Sequence, residues 1–318
     1  MSGSETAAIG VDIGGTHVRV GLTRGGVIVR SAAAHTPREG SEAILACVAA
    51  LHAQVEAPAN TPTGVAVAGY LDAERERVRY APNLPVEDEP WRALLAQRLN
   101  GPVVLENDAN AAGWGEYRFG SGRRSSSMVM VTVGTGIGGA VIDGGALRLG
   151  AHGMAAELGH LQVVADDSAR VCGCGARGCW EMYGSGTALA ADARDLLARG
   201  GAHGLLQRAD GDPGRLTGAL VAHAAHEGDP DALDLVQGVG VWIGRGLASV
   251  AAVLDPATIV LGGGVPETGS PLLESALRTY EDVVGRAHRP RAEVRVASLG
   301  DRAGILGAAD LARARTAE

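Results

Sequence analysis

The feature that most constrains the fold is a pattern that occurs twice. A strand over 9–13 runs into a Gly14-Gly15-Thr16 turn, a strand over 18–22 comes next, and a Gly25-Gly26 turn leads into a third strand at Val27. The same order returns as a strand over 128–133, a glycine turn over 134–139, a strand over 140–142, a Gly144-Gly145 turn and a strand over 146–149. Alternating apolar residues between glycine turns signal a meander. Gly14 corresponds to Gly134, which fits an ancient duplication; it fits equally well two hairpins that resemble each other because hairpins share turn chemistry. Helical spacing predicts further elements. Ile44, Leu45, Val48, Leu51 and Val55 share one face of a helix opened by Ser41, and Trp91, Leu94, Leu95 and Leu99 mark a helix ended by Gly101. Later helices are expected over 187–198, 216–225 and 232–254, and from Pro271 and Ala303, with strands over 64–68, 103–105, 258–261 and 293–297. The chain is therefore of the α/β class.

At roughly 100 to 200 residues per domain, 318 residues suggest two domains. A hydrophobic share of 46% with 20% charged residues excludes a disordered chain. The net charge of −8 argues against a nucleic-acid-binding surface. The sequence contains no lysine, so all 28 basic residues are arginine. This excludes Schiff-base chemistry, a Walker A lysine and the strand lysine of protein kinases. Phosphate must then be held by loop amides, helix N-termini, arginine or a divalent metal. The opening MSGSETAA has neither a basic start nor an apolar run. The most apolar long segment, 239–254, is interrupted by Arg245 and falls short of the ~20 apolar residues of a membrane span. The expectation is a cytoplasmic protein without membrane or nucleic-acid partners.

Several residue groups can carry chemistry. Gly134, Gly136 and Gly139 satisfy G-x-G-x-x-G with Glu157 further on, but the segment after them is short, β-branched and broken by glycines, where a nicotinamide fingerprint needs a helix. Asp12, beside Gly14, Gly15 and Thr16, can hold Mg²⁺ next to amides that approach phosphate, or can simply serve a hairpin turn. Asn107-Asp108 ends a buried strand, and Asp108 reads either as a helix N-cap or as a general base at a strand's carboxyl end. His160, Cys172, Cys174 and Cys179 form a donor set suited to a closed, structural Zn²⁺ site, with free thiols as the alternative. Glu157 and Glu181 bracket this cluster, and sugar hydroxyls would be good partners for them.

Taken in order, VDIGGT from Val11, ENDANAA at 106–112, VGTGIGG at 133–139, ELGH at 157–160, CGCGARGCWE at 172–181 and LGGGV at 261–265 resemble the ROK family of sugar kinases and repressors across nearly the whole chain. Within it, GCWEMYGSGTAL and the run over 228–256 are most similar to actinobacterial ATP-dependent glucokinases. The resemblance implies an actin-like (ribonuclease H-like) two-domain sugar kinase fold whose cleft closes on substrate. The expected division is 1–118 with the first phosphate loop and the catalytic Asp, 119–300 with the second phosphate loop, zinc motif and adenosine motif, and a C-terminal helix over 301–318 packing back on the first domain. It implies phosphoryl transfer from Mg·ATP to the 6-hydroxyl of glucose, with Asp108 taking the proton. Asn83, Asn107, Asp108, Glu157, His160 and Glu181 would bind the sugar, and His160, Cys172, Cys174 and Cys179 a structural zinc. Asp12 would lie by Mg²⁺, Gly14, Gly15, Thr16, Gly134, Thr135 and Gly136 by the phosphates, and Gly262, Gly263 and Gly264 by adenosine. A homodimer or homotetramer is expected on the same ground. Two departures stand out: Ala156 replaces the glycine usual before the ELGH glutamate, and Met182 stands where related glucokinases often carry glutamine.

Three alternatives arise from the same residues. A sugar-responsive repressor would need a helix-turn-helix module ahead of VDIGGT. A kinase for fructose, mannose, N-acetylglucosamine or N-acetylmannosamine would share every motif above. So would a glucokinase that draws on polyphosphate.

Overall fold

The structure, a computed structural model, describes residues 7–99, 101–264, 270–285 and 290–316. The described residues fall into two compact units. One draws on Met1–Met128, Ala140–Ala156 and Ala297–Glu318, the other on Val129–Gly139 and Glu157–Val296.

The first unit opens with the meander β1 (Ala8–Ile13), β2 (His17–Arg24) and β3 (Val27–His35), followed by α1 (Ser41–Gln54) and β4 (Thr63–Val67). Three short strands come next, β5 (Tyr70–Leu71), β6 (Val78–Tyr80) and β7 (Glu87–Glu89), forming a sheet of their own in the order β5-β6-β7. Then α2 (Trp91–Ala96) and β8 (Val103–Asn107) lead into α3 (Asp108–Phe119). The main sheet has the order β3-β2-β1-β4-β8, antiparallel through the meander and parallel across β1, β4 and β8.

Strand alternation puts the two faces of this sheet to different uses. Ile9, Val11 and Ile13 of β1 join Ile44, Leu45, Val48, Leu51, Trp91 and Leu95 in one core on the side of α1 and α2. The intervening Gly10 and Gly64 lie against the backbone of Ile305 and Ala308 in the last helix, where a Cβ on either glycine would collide with a carbonyl oxygen. Glycine is needed there because helix and sheet touch main chain to main chain.

Next come β9 (Ser127–Val133), β10 (Ile137–Asp143) and β11 (Ala146–Leu147). In both meanders the glycine pair has positive φ at each residue, 57° and 79° for Gly25 and Gly26, 58° and 76° for Gly144 and Gly145. That is the geometry of a tight two-residue hairpin turn, so the repeat holds at the level of conformation. The loop before β10 opens a strand, and the dinucleotide fingerprint lacks its helix.

The second unit contains α4 (Glu181–Gly184), α5 (Gly186–Ala198), α6 (His203–Arg208), α7 (Gly218–His226), α8 (Pro230–Leu254), β12 (Thr258–Gly262), α9 (Ser270–Val283) and β13 (Glu293–Val296). The other five-stranded sheet has the order β11-β10-β9-β12-β13. Among the described residues α8 is the one helix long and apolar enough to cross a membrane, a correction to the expectation from 239–254 alone, because the helix begins nine residues earlier at Pro230. It buries Val236, Val239, Ile243, Leu247 and Val250 within the unit. The chain then returns to the first unit with α10 (Ala303–Arg315).

Candidate functional site

In the first unit, three parallel strands deliver the polar residues to one end of the sheet. The register aligns Ile13 with Val67 and Val67 with Asn107, so Asp12 on β1 and Asp108 after β8 come to the carboxyl ends of two parallel strands that flank β4. Open α/β sheets bind ligands at such ends. Thr36 Oγ1 donates to Gly14 O at 2.6 Å and Thr36 N to Thr16 O at 2.9 Å, tying the Gly14-Gly15-Thr16 turn to β3. Asn83 packs over Gly15, where an added Cβ would come to 3.0 Å from Asn83 Cβ.

The junction of β8 and α3 removes the N-cap reading of Asp108. The N-cap is Asn107, whose Oδ1 accepts from Asn110 N at 3.1 Å, and Asp108 is the first helical residue. Asn107 Nδ2 donates to Gly69 O at 3.2 Å and to Asp108 Oδ1 at 3.1 Å, so the capping side chain also orients the carboxylate beside it. Burial raises the Asp12 pKa from 3.8 to about 6; the negative charges of Asp108 and Asp301 push the same way, and Arg19 pulls it back. Arg19 Nη1 lies 3.8 Å from Asp12 Oδ2, and its Nη2 donates to Asp301 Oδ2 at 2.9 Å. Carboxylates that resist ionisation together are a favourable place for a divalent cation, and Asp12 fits a Mg²⁺ partner on this ground.

The second unit gathers the rest. Gly134 N donates to Gly136 O at 3.0 Å, and Gly186 N and Thr187 N donate to Gly134 O and Thr135 O at 2.8 and 3.1 Å. The glycine loop is thereby fastened to the N-terminus of α5, whose cap Ser185 accepts from Ala188 N. Gly263, at φ 94°, lies so close to Val133 that a Cβ would collide with its carbonyl oxygen, so the 262–264 turn sits at the end of β9, beside the 134–136 loop. Val265 of LGGGV lies outside the described residues.

Glu157 precedes the short 3₁₀ turn Leu158–His160, and Gly159 in that turn packs on the main chain of Ile137. Glu181 opens α4, with Oε2 only 2.7 Å from where a Gly136 Cβ would stand. Both carboxylates thus lie near the start of β10. Desolvation raises the Glu157 pKa, with Glu181 adding to the shift and His160 opposing it.

The ligand atoms of His160, Cys172, Cys174 and Cys179 all lie within 4.8 Å of one another. Cys174 and Cys179 sulfurs are 3.7 Å apart, and Cys172 Sγ is 3.8 Å from His160 Nδ1. A tetrahedron with bonds of about 2.3 Å has edges of about 3.8 Å, so the set fits zinc in size and donor type. Cys172 Sγ donates to Glu181 Oε1 at 3.1 Å, which joins the cluster to the carboxylate.

The structure therefore brings Asp12, Gly14, Gly15, Thr16, Asn83, Asn107 and Asp108 together in one unit. In the other it brings together Gly134, Thr135, Gly136, Glu157, His160, Cys172, Cys174, Cys179, Glu181 and Gly262 to Gly264. Sequence reasoning missed Arg19 and Asp301 around Asp12, and Ser185, Gly186 and Thr187 behind the second loop. Ser185 carried a readable signal, a serine before a helical run. Asp301 carried none, because its proximity to Asp12 is purely tertiary.

The chain matches the ROK family over residues 8–315 and belongs to it. It is 40% identical over 309 residues to a glucokinase of Streptomyces coelicolor, an alignment covering 96% of this chain and 97% of that one. Among solved structures it is similar to a ROK family glucokinase from Streptomyces griseus in complex with glucose and AMPPNP, at 40% identity and a TM-score of 0.85, covering 97% of this chain and 99% of that one. It is also similar to a ROK hexokinase from Thermus thermophilus, at 32% identity and a TM-score of 0.83, covering 98% and 99%.

Proposed function

We propose that the protein is an ATP-dependent glucokinase, transferring the γ-phosphoryl group of Mg·ATP to the 6-hydroxyl of D-glucose to give glucose 6-phosphate and ADP. The observation that carries this is the Asn107–Asp108 junction, a carboxylate held at the end of parallel strands by its neighbour's amide in a chain akin to glucokinases from end to end.

Asp108 accepts the proton of the 6-hydroxyl as that oxygen bonds to the γ-phosphorus and the bond to ADP breaks. Asn83, Asn107, Glu157, His160 and Glu181 hold the sugar hydroxyls, the carboxylates through charge-assisted hydrogen bonds. The turns at 14–16 and 134–136 present amides to the phosphates, the latter backed by the N-terminus of α5, and 262–264 meets adenosine. Mg²⁺ would neutralise phosphate charge, with Asp12 as its partner. Zinc would shape the 157–181 segment through His160, Cys172, Cys174 and Cys179, and such a thiol-rich site suits a cytoplasmic setting. His160 would hold the metal through the ring nitrogen that faces Cys172, which would leave its other nitrogen free to donate to a sugar hydroxyl. Lysine is dispensable because amides and metal supply the electrostatics. We further propose a homodimer or homotetramer, as the family resemblance implies.

Glucose-dependent ADP release across a panel of hexoses and N-acetylated amino sugars, repeated with polyphosphate, tests this. Glucose should lead, with ATP as donor. Another sugar exceeding glucose tenfold in kcat/KM would overturn the substrate assignment.

A further inference from the structure

Along β8, the edge strand of the first unit's main sheet, lies a cavity of about 340 Å³, within the size range of small-molecule sites. Arg75, Arg92, Arg315, Thr316, Val104 and Leu105 contribute to its walls. Arg92 and Arg315 are exposed, whereas Arg75 is only 3% exposed.

Arg75 is unusual in two ways. Its φ is 59°, a left-handed conformation that costs a side-chain-bearing residue energy and is found where structure holds it in place. Its Nη1 donates to Asp72 O and Gly153 O at 3.0 and 3.2 Å, but its Nη2 has no hydrogen-bond partner. The Nε is 3.1 Å from Glu106 Oε1, close enough to pair in charge yet not aligned as a hydrogen bond. Glu106 Oε2, 3.6 Å from Arg315 Nη2, also accepts no hydrogen bond. A buried polar group left unpaired is destabilising, and Arg75, part of the cavity wall, carries an unpaired donor that an acceptor on a ligand would meet.

The charges narrow the ligand's chemistry. Arg92 pairs with Glu76, Arg75 and Arg315 face Glu106, and Glu74 stands exposed in the wall. The site is close to neutral, so a bare anion gains little. A molecule with an anionic group for the guanidinium forks of Arg75, Arg92 and Arg315 and hydroxyls that donate to Glu74 matches this lining.

We propose that this cavity binds a sugar phosphate, the chemical class of the reaction's own product; that last identification rests on the function proposed above. The site also has a route to the base. Glu106 Oε1 accepts from Asn107 N at 3.0 Å and from Asn110 Nδ2 at 3.1 Å, and Asn107 in turn orients Asp108. A ligand that draws Arg75 or Arg315 away from Glu106 loosens the platform under Asp108 and lowers kcat.

The test is calorimetric titration of glucose 6-phosphate into the full chain saturated with glucose and a non-hydrolysable ATP analogue. Binding of one equivalent is expected, weakened at least tenfold in Arg315→Ala and Arg92→Ala at unchanged melting temperature. Inhibition of wild-type turnover should be noncompetitive with glucose. The heat reports this site independently of turnover, so it separates failure of the site from failure of the kinase assignment. No binding to the saturated protein, unchanged affinity in both variants, or inorganic phosphate binding as tightly as the sugar phosphate would each overturn the proposal.

Discussion

Asn107 donates to Asp108 across 3.1 Å while its other amide atom caps the helix that Asp108 begins. One side chain therefore fixes both where α3 starts and where the carboxylate points. Because Asp108 is not the cap, Asp108→Asn should fold normally and lose ~10²-fold or more in kcat, with glucose affinity much less changed. Asn107→Ala should behave differently, costing about 1 kcal/mol of stability through the lost cap together with kcat through the misdirected carboxylate. Steady-state kinetics beside urea unfolding separates the two, and near-normal turnover in folded Asp108→Asn would remove it as the base.

Asp12 is held at a cost to the fold. Its pKa is raised from 3.8 to about 6, so between those values the folded state binds more protons than the unfolded one, and stability falls as pH rises through the window. Asp12→Asn removes the penalty. In the absence of nucleotide and metal, the variant should be more stable than wild type at pH 7.5 by about 3 kcal/mol, a figure in which the opposing pull of Arg19 is already included. The advantage should vanish below about pH 4, where wild-type Asp12 is protonated in both states. The same variant should lose Mg·ATP-dependent turnover. Melting curves at the two pH values are decisive, and an equal gap at both would show that charge is not its origin.

Much of this was legible in the sequence because the informative residues are local. The two meanders, the Gly25-Gly26 and Gly144-Gly145 turns and the β8–α3 junction each depend on adjacent residues whose conformational preferences are strong. The sheet of β5, β6 and β7 was not legible. Its last strand reads Glu-Asp-Glu, a composition depleted in strands, and pairing with β6 overrides that preference. The surroundings of the site residues were hidden for a related reason. Asp301 beside Asp12, and Arg75 and Arg315 beside Glu106, are brought close only by the return of α10 and by the turn before β6, and no periodicity announces such contacts. The cap is a subtler case: both Asn107 and Asp108 suit that position, and only the observed hydrogen bond decides between them.

Ala156 has a φ of 69°, a conformation in which a Cβ crowds the neighbouring carbonyl. Glycine adopts this conformation without that clash. Ala156→Gly should stabilise the protein by about 0.5–1 kcal/mol, the strain relief of roughly 1–2 kcal/mol being partly offset by the greater freedom of glycine in the unfolded chain. A shift of the denaturation midpoint at unchanged slope checks it. A lower midpoint would mean that the neighbours of Ala156 hold the strained conformation without cost.

His160 Nδ1 lies 3.9 Å from Glu181 Oε1, and Cys172 Sγ donates to the same oxygen at 3.1 Å, joining the His160–cysteine cluster to this carboxylate by a hydrogen bond. It exists only while Cys172 is a thiol. A metal ligand must be a thiolate, which has no proton to give, so metal binding releases Glu181 Oε1 to accept from a sugar hydroxyl. The cluster should then govern sugar affinity without touching the nucleotide. Cys174→Ser replaces an exposed ligand by a poorer one and should lower zinc content while raising the glucose KM several-fold, with the ATP KM held within about twofold. Glu181→Gln should raise the glucose KM at full zinc occupancy, because it removes the acceptor and leaves the knot intact. Elemental analysis, both KM values and a melting curve distinguish these effects from simple unfolding, in which the two KM values would drift together. Full activity in carefully prepared zinc-free protein would break the link between cluster and carboxylate, and an unchanged glucose KM in stable, zinc-loaded Glu181→Gln would remove Glu181 from the sugar site.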